Sequence, residues 1–107
     1  MQRRVTSVAL VVALAAASSA AAQDVMGEGK KLFTGGAVPA CALCHALKHA
    51  GATGEIGPAL DDLKPDAARV EKAIRNGIGQ MPANTTLTDA QIRLLAQYVA
   101  RATGASQ

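Results

Sequence analysis

The chain has 107 residues, of which 50% are hydrophobic and 2% aromatic, and it carries a formal net charge of +3. This length allows one small domain and excludes a multidomain architecture, and the slight basic excess gives no reason to expect a nucleic-acid partner. A domain this small with so few aromatic side chains buries a marginal core, so we expect a bound group to stabilise it.

Residues 1–22 have the features of a secretory signal peptide. Arg3 and Arg4 form a basic start, an apolar run follows over residues 5–17, and three alanines fit a cleavage site. We expect cleavage to leave residues 23–107 as one domain, exported to the bacterial periplasm and without a membrane span. An uncleaved membrane anchor is the alternative. Loss of the two arginines lowers the 11 basic residues to 9 against 8 acidic ones, a net charge of +1.

The exported domain is predicted to begin with a helix from Asp24 to about Thr34. Asp24 can cap this helix, and the two glycines at 35–36 can end it. Gly29 and Phe33 are four residues apart and therefore share one helix face. A glycine within a helix indicates that another segment of backbone approaches closely.

The stretch Cys41-Ala42-Leu43-Cys44-His45 is the most informative part of the chain. The spacing C-x-x-C-H is the attachment signature of a c-type haem. Cys41 and Cys44 can each bond one vinyl group of a single porphyrin, and His45 can then supply an axial nitrogen to the iron. We therefore expect one covalently bound haem c, and a short helix over this motif that ends near Leu47.

Three other interpretations of the motif are less compatible with its spacing. A disulfide between Cys41 and Cys44 would close a very small loop and stabilise the fold little. A thioredoxin-like redox pair needs a βαβ context, which the flanking residues lack. A zinc site would add His45 and His49, but four ligands so close in sequence, two of them adjacent, fit one tetrahedron poorly.

The next part of the chain alternates between loop and helix patterns. Residues 49–57 contain three glycines and are predicted to form a loop. Pro65 is predicted to open a helix that Gly77 ends, with an apolar stripe formed by Val70, Ala73 and Ile74.

The C-terminal part is predicted to contain one irregular segment and one long helix. Residues 78–87 include Gly79 and Pro82 and should be irregular. Thr88 and Gln91 form a capping box, which starts a last helix that runs to about Thr103. No window alternates as a strand does, so the chain is predicted to be all-α, with about four to five short helices around the haem.

A second axial ligand must come from one of four side chains, which are Met26, His49, Met81 and Tyr98. His49 follows His45 too closely to reach the opposite face of the iron. Met26 and Tyr98 lie on helices, where a packing role is expected. Met81 lies 36 residues beyond His45 in the irregular segment, beside Pro82, and can cross to the far face. The pattern favours Met81, with packing in the core as its alternative role.

These residues together resemble the class I c-type cytochromes over essentially the whole mature chain. The matching positions are Gly29 with Phe33, the C-x-x-C-H motif, Gly57-Pro58-x-Leu60, Met81-Pro82, and Leu95 with Tyr98. The resemblance implies a cytochrome c fold whose first and last helices cross at the glycine and aromatic positions. It implies that the Pro58 carbonyl accepts a hydrogen bond from the imidazole of His45, and that Met81 is the second axial ligand. The usual aromatic partners of the haem propionates are absent, and Arg75 and Asn76 are candidates in their place.

The resemblance also implies a function. With both axial positions filled, the protein would be an electron-transfer protein rather than an enzyme. It would accept single electrons from a dehydrogenase and pass them to a respiratory cytochrome or oxidase. The runs C-A-L-C-H-x-L, G-P-A-L-D-D-L-K-P and N-G-I-G-Q-M-P are similar to small cytochromes associated with periplasmic sulfite dehydrogenases, which accept electrons from a molybdenum subunit. The chain would then be the haem subunit of an oxidoreductase complex.

Two other functions are compatible with a bound haem. One is a ligand-binding or catalytic haem protein with a labile sixth ligand, which Met81 disfavours. The other is an anchored partner that retains its signal segment.

Overall fold

The structure, a computed structural model, describes residues 24–105. The expected signal peptide at residues 1–22 lies outside this part of the chain, so its cleavage stays a prediction. No helix among the described residues is both long and apolar enough to span a membrane.

Helix α1 is longer than the sequence predicts. It comprises residues 24–31 and continues directly into a π-helical turn over Leu32–Gly36. A backbone hydrogen bond of 3.0 Å from Ala37 to the Leu32 carbonyl closes this turn. The wider turn carries the chain through both glycines, so the helix ends at Gly36 rather than near Thr34.

The predicted helix over the C-x-x-C-H motif is correct only in its first turn. A 3-10 turn covers Cys41–Leu43, and the chain then extends into strand β1, Ala46–Leu47. Strand β1 pairs antiparallel with β2, Ala52–Thr53, with Ala46 opposite Thr53. The expected helix end near Leu47 is therefore wrong, and the predicted loop that follows is partly a small β-hairpin.

Close packing explains why this segment leaves the helical path. The returning chain brings Gly54 so near the motif that a Cβ atom there would lie 2.6 Å from the carbonyl carbon of Cys44. Leu47 in β1 is fully buried. The backbone hydrogen bonds of the hairpin take the place of those that a longer helix would have made. Burial of Leu47 further stabilises this extended path.

Two helices follow the hairpin. The single-turn α2 covers Leu60–Leu63, and α3 covers Ala67–Asn76. Pro65 precedes α3 rather than opening it, because Asp66 is the cap: its Oδ1 accepts a 2.8 Å hydrogen bond from the backbone N–H of Arg69. Gly77 ends α3 as predicted.

The last helix, α4, spans Asp89–Thr103, as the sequence predicts. Both hydrogen bonds of the capping box are present. The backbone N–H of Gln91 donates to Thr88 Oγ1 (3.1 Å), and the backbone N–H of Thr88 donates to Gln91 Oε1 (2.9 Å). Two orphan backbone donors are thereby satisfied at the helix start.

Helices α1 and α4 meet at the centre of the core. Gly29 is buried directly against the side chain of Tyr98. The rings of Phe33 and Tyr98 pack edge to face, with their centroids 6.1 Å apart. Tyr98, Phe33, Leu47 and Leu95 are the largest fully buried side chains of the described residues. The expected crossing of the first and last helices is present, and the all-α prediction is confirmed apart from the two-stranded hairpin.

Candidate haem-binding site

One cavity of about 720 Å³ lies between the C-x-x-C-H turn, α2, α3, α4 and the loop after α3. Its walls are mainly apolar, and its volume is within the range of sites for small molecules and cofactors. The five residues predicted to bind the cofactor all line it, namely Cys41, Cys44, His45, Pro58 and Met81. The fold thus gathers the site residues from three separate parts of the sequence.

The two cysteines lie at one wall of the cavity as free thiols. The 3-10 turn orders them, because the backbone N–H groups of Cys44 and His45 both donate to the Cys41 carbonyl at 3.2 and 3.0 Å. Burial, followed by the proximity of the Cys44 thiol, raises the pKa of Cys41 to about 11. A neutral thiol at this position is unlike the activated thiolate of a redox or zinc site.

The imidazole of His45 is fixed in one tautomer. Its Nδ1 lies 2.7 Å from the carbonyl oxygen of Pro58. A carbonyl oxygen can only accept, so Nδ1 carries the proton and donates it. The lone pair is therefore on Nε2, the nitrogen that remains for a metal.

Gly57 packs against the face of the His45 imidazole ring. A Cβ atom at Gly57 would lie 2.6 Å from Cε1 and 2.9 Å from Nδ1 of His45. The backbone N–H of Gly57 also donates to the Cys44 carbonyl at 2.7 Å. Only glycine allows this approach, so Gly57 orients the imidazole although it supplies no side chain.

Met81 is held by a tight turn, where the sequence predicted only irregular chain. Ile78 and Met81 exchange both backbone hydrogen bonds, at 3.0 and 2.9 Å. Between them Gly79 has a φ of 56°, which fits the first central position of a two-residue hairpin turn. We call residues 78–81 the Met81 turn. It places the half-buried Met81 side chain at the cavity wall.

Asn84 ties the chain after this turn to its surroundings. Its backbone N–H donates to the carbonyl of Ile74 near the end of α3 (2.8 Å). Its side-chain Oδ1 accepts from the backbone N–H groups of Thr86 and Leu87, both at 2.9 Å. The segment that carries Met81 is therefore tied to α3 by a hydrogen bond on its C-terminal side.

The other three candidates for a second axial ligand do not line the described cavity. Met26 packs against the hydrophobic core. His49 and Tyr98 engage each other: His49 Nδ1 lies 2.8 Å from the Tyr98 hydroxyl, with ring centroids 5.4 Å apart. This pair was not predicted from the sequence, because the two residues are 49 positions apart and no local pattern connects them.

Arg75 is not available for a haem propionate, contrary to the expectation from the sequence. Its guanidinium binds Glu71 (3.0 Å) and Asp89 (2.6 Å), and it does not line the cavity, whereas Asn76 does. The hydrogen bond to Asp89, then the one to Glu71, raises the pKa of Arg75. The same bond with Arg75 lowers the pKa of Asp89. The ion pair with Asp89 ties α3 to α4, whereas the pair with Glu71 lies within α3.

The donor set and the walls of the cavity fit a haem rather than the alternatives. Two adjacent thiols, an imidazole with a free Nε2 and a thioether surround an apolar space. A zinc site would need His49, which is bonded to Tyr98 instead. Within residues 24–105, no group of three or more His, Cys, Asp or Glu side chains is arranged to hold a metal ion.

Comparison with known proteins agrees with this geometry. Residues 24–99 match the family described as cytochrome C oxidase, cbb3-type, subunit III. Among solved structures, the c-type cytochrome SorU from Sinorhizobium meliloti is 51% identical, with a TM-score of 0.74, over 78% of this chain and 95% of that one. A search of curated proteins finds no significant match. The chain therefore belongs to the c-type cytochromes, as a small class I member that carries haem c on Cys41 and Cys44.

Proposed function

We propose that this electron-transfer protein is a periplasmic one-electron carrier in which His45 and Met81 are the axial ligands of the haem iron. The observation that carries the proposal is that both side chains line one cavity, His45 with Nε2 free for the metal. The bound haem supplies a one-electron iron couple.

His45, Pro58 and Gly57 act together on the proximal side. The Pro58 carbonyl accepts the Nδ1 proton at 2.7 Å and so makes Nε2 a better electron donor. Gly57 contacts the ring face and limits its rotation. A ligand fixed in position and tautomer moves little when the charge at the iron changes, which favours fast electron transfer.

Met81 and the cavity walls act on the other side. A thioether is neutral and soft, so it stabilises the reduced state and raises the reduction potential. Phe33, Leu95 and Val99 are almost fully buried and line the cavity, which excludes water. With His45 and Met81 both bound, no position remains open for a substrate, and this supports a carrier over a catalyst.

The proposed electron donor is a dehydrogenase with a molybdenum subunit that oxidises sulfite. Support comes from the sequence runs around Cys41–His45, Gly57–Pro65 and Asn76–Pro82, which are similar to cytochromes associated with such enzymes. Leu43, between the two cysteines, and Ile78, in the Met81 turn, are each 66% exposed. Small apolar contacts of this kind suit the brief association of redox partners. The acceptor would be a respiratory cytochrome or oxidase.

Export by residues 1–22 is part of the proposal. Covalent haem attachment normally takes place after export, and the segment has a basic start, an apolar run and a small-residue end. Mass spectrometry of the mature protein should find an N-terminus at Gln23. A retained N-terminal segment would instead support an anchored protein.

Carbon monoxide binding tests the carrier function directly. The reduced protein should bind carbon monoxide poorly, because Met81 fills the sixth position, and it should be reduced rapidly by a sulfite dehydrogenase in stopped-flow experiments. Leu43→Glu should slow this reduction without changing the haem spectrum. Val38→Glu is the matched control, because Val38 is a similarly exposed apolar residue outside the C-x-x-C-H motif and the Met81 turn. Tight carbon monoxide binding by the unmodified protein would favour a ligand-binding haem protein.

A further inference from the structure

Apart from the two cysteines and His45, the polar side chains that line the haem cavity come from α3 and the loop that follows it. They are two cations and three amides, namely Arg69, Lys72, Asn76, Gln80 and Asn84. No Asp or Glu among the described residues lines the cavity. The lining is thus positively charged on one side and apolar elsewhere.

Three of these side chains share one face of α3. Arg69, Lys72 and Asn76 are spaced by three and four residues, which places them one above the other along the helix. All three are exposed although they line the cavity, whereas Ile74 on the same wall is buried. They therefore lie at the rim, where the cavity meets solvent.

The two rim cations have no acidic partner within residues 24–105. The salt bridges of this part of the chain involve Lys31 and Arg75, but neither Arg69 nor Lys72. Of the two acids nearest in sequence, Asp66 accepts a hydrogen bond from the Arg69 backbone and caps α3, and Glu71 is bound by Arg75. The guanidinium and the ammonium are therefore free to bind an anion at the rim.

We propose that Arg69 and Lys72 bind the propionate carboxylates of the haem at the α3 rim of the cavity. This inference rests on the haem of the proposed function and adds its orientation. The apolar macrocycle fits the apolar walls, and its two anionic groups then face the only charged part of the described lining. Arg69 can bind a carboxylate through two parallel N–H bonds, and Lys72 through its ammonium.

A charge at this position affects the iron. Arg69 and Lys72 offset the negative charge of the propionates, which otherwise stabilises the oxidised state. Each cation should therefore raise the reduction potential, and its removal should lower the potential. This consequence can be measured without any redox partner.

The test compares Arg69→Gln and Lys72→Gln with matched controls in the haem-loaded protein. Glutamine preserves helix propensity and length, and both positions are exposed, so the variants should fold. Arg101→Gln and Lys30→Gln remove the same charges from exposed helical positions outside the cavity. Reduction potentials are measured by spectroelectrochemistry, and the propionate bending band is measured by resonance Raman spectroscopy.

We expect each rim variant to lower the potential and shift the propionate band, with a larger change in the double variant and none in the controls. Arg69→Lys retains the positive charge, so its reduction potential should stay close to that of the unmodified protein. If the rim variants leave the potential and the band unchanged, the proposal is wrong. A slower reaction with the partner that depends less on salt would then assign Arg69 and Lys72 to docking. If these variants keep the covalent haem and the near-red band of sulfur-to-iron charge transfer, only this inference, and not the proposed function, has failed.

Discussion

Gly29 and Tyr98 are in direct contact where α1 crosses α4, with no room for a side chain between them. A Cβ atom at Gly29 would overlap the Cβ and ring of Tyr98 and lie 2.9 Å from Cδ2. Tyr98 cannot move aside, because Phe33 packs against one side of its ring and the His49 imidazole binds its hydroxyl. The glycine thus sets the distance between the two helices.

The first prediction follows from this contact. Gly29→Ala should destabilise the folded protein by about 1–3 kcal/mol, the range for overpacking a core. Gly27→Ala is the matched control, since nothing lies within 4 Å of a Cβ atom there. The control should be neutral or stabilise the helix by about 0.5–1 kcal/mol. Denaturant unfolding of the haem-loaded proteins measures both values, and equal effects would contradict the crossing described above.

The second prediction concerns covalent attachment. Acid–acetone should leave the haem on the denatured protein, because thioether bonds from Cys41 and Cys44 hold it. Changing both cysteines to Ala should give largely unfolded apoprotein, since the haem completes a small core. Extraction of free haem from the unmodified protein would defeat the assignment. Mass spectrometry of each single variant identifies which thioether is lost.

The third prediction concerns the second axial ligand. The oxidised protein should show the weak near-red band of sulfur-to-iron charge transfer, and Met81→Ala should abolish it, lower the potential and open the iron to imidazole or carbon monoxide. Met26→Ala is the control, because Met26 packs in the core away from the cavity. If the band survives in Met81→Ala, another sulfur is the ligand.

The fourth prediction concerns the ring contact of Gly57. Gly57→Ala should displace the His45 imidazole, because a Cβ atom would lie 2.6 Å from its Cε1. We expect altered Soret and paramagnetic NMR spectra and a lower yield of haem-loaded protein. Gly35→Ala is the control, as a Cβ atom at Gly35 meets nothing within 4 Å. An unchanged spectrum in Gly57→Ala would mean that the ring is positioned by Pro58 alone.

The fifth prediction concerns acid stability. The hydrogen bond with Arg75 lowers the pKa of Asp89 in the folded state, so the Asp89 carboxylate stabilises the fold at pH values above its ordinary pKa, about 3.9. This contribution is lost as the pH falls through the lower folded value. Asp89→Asn should therefore be less stable than the unmodified protein at pH 7, and the difference should narrow towards pH 2. A constant difference across this range would contradict the prediction.

Local signals in the sequence predicted some parts of the structure well. The Thr88–Gln91 capping box gave the start of α4, and the C-x-x-C-H spacing gave the attachment site. Both depend on residues close together in the chain. The two-stranded hairpin was not predicted, because its strands have only two residues each and are too short to show alternation of apolar and polar residues.

Contacts between distant residues could not be predicted in the same way. The bond between His49 and Tyr98 and the positions of Arg69 and Lys72 at the rim depend on how α3, α4 and the hairpin pack together. Arg75 was a candidate for the propionates because its charge and position in the sequence were suitable. Whether Arg75 or Lys72 lies at the cavity depends on which face of α3 is turned towards it. That face is set by the packing of the whole chain.

The shape of the Met81 turn does not depend on the side chain at position 81. Its hydrogen bonds are all made by the backbone of Ile78 and Met81, and the Asn84 brace lies outside it. The side chain at position 81 can therefore be exchanged while the turn remains intact. With Met81 as the proposed axial ligand, replacement by His would exchange a thioether donor for a nitrogen donor at the same place. The reduction potential should then change by substitution at this single position.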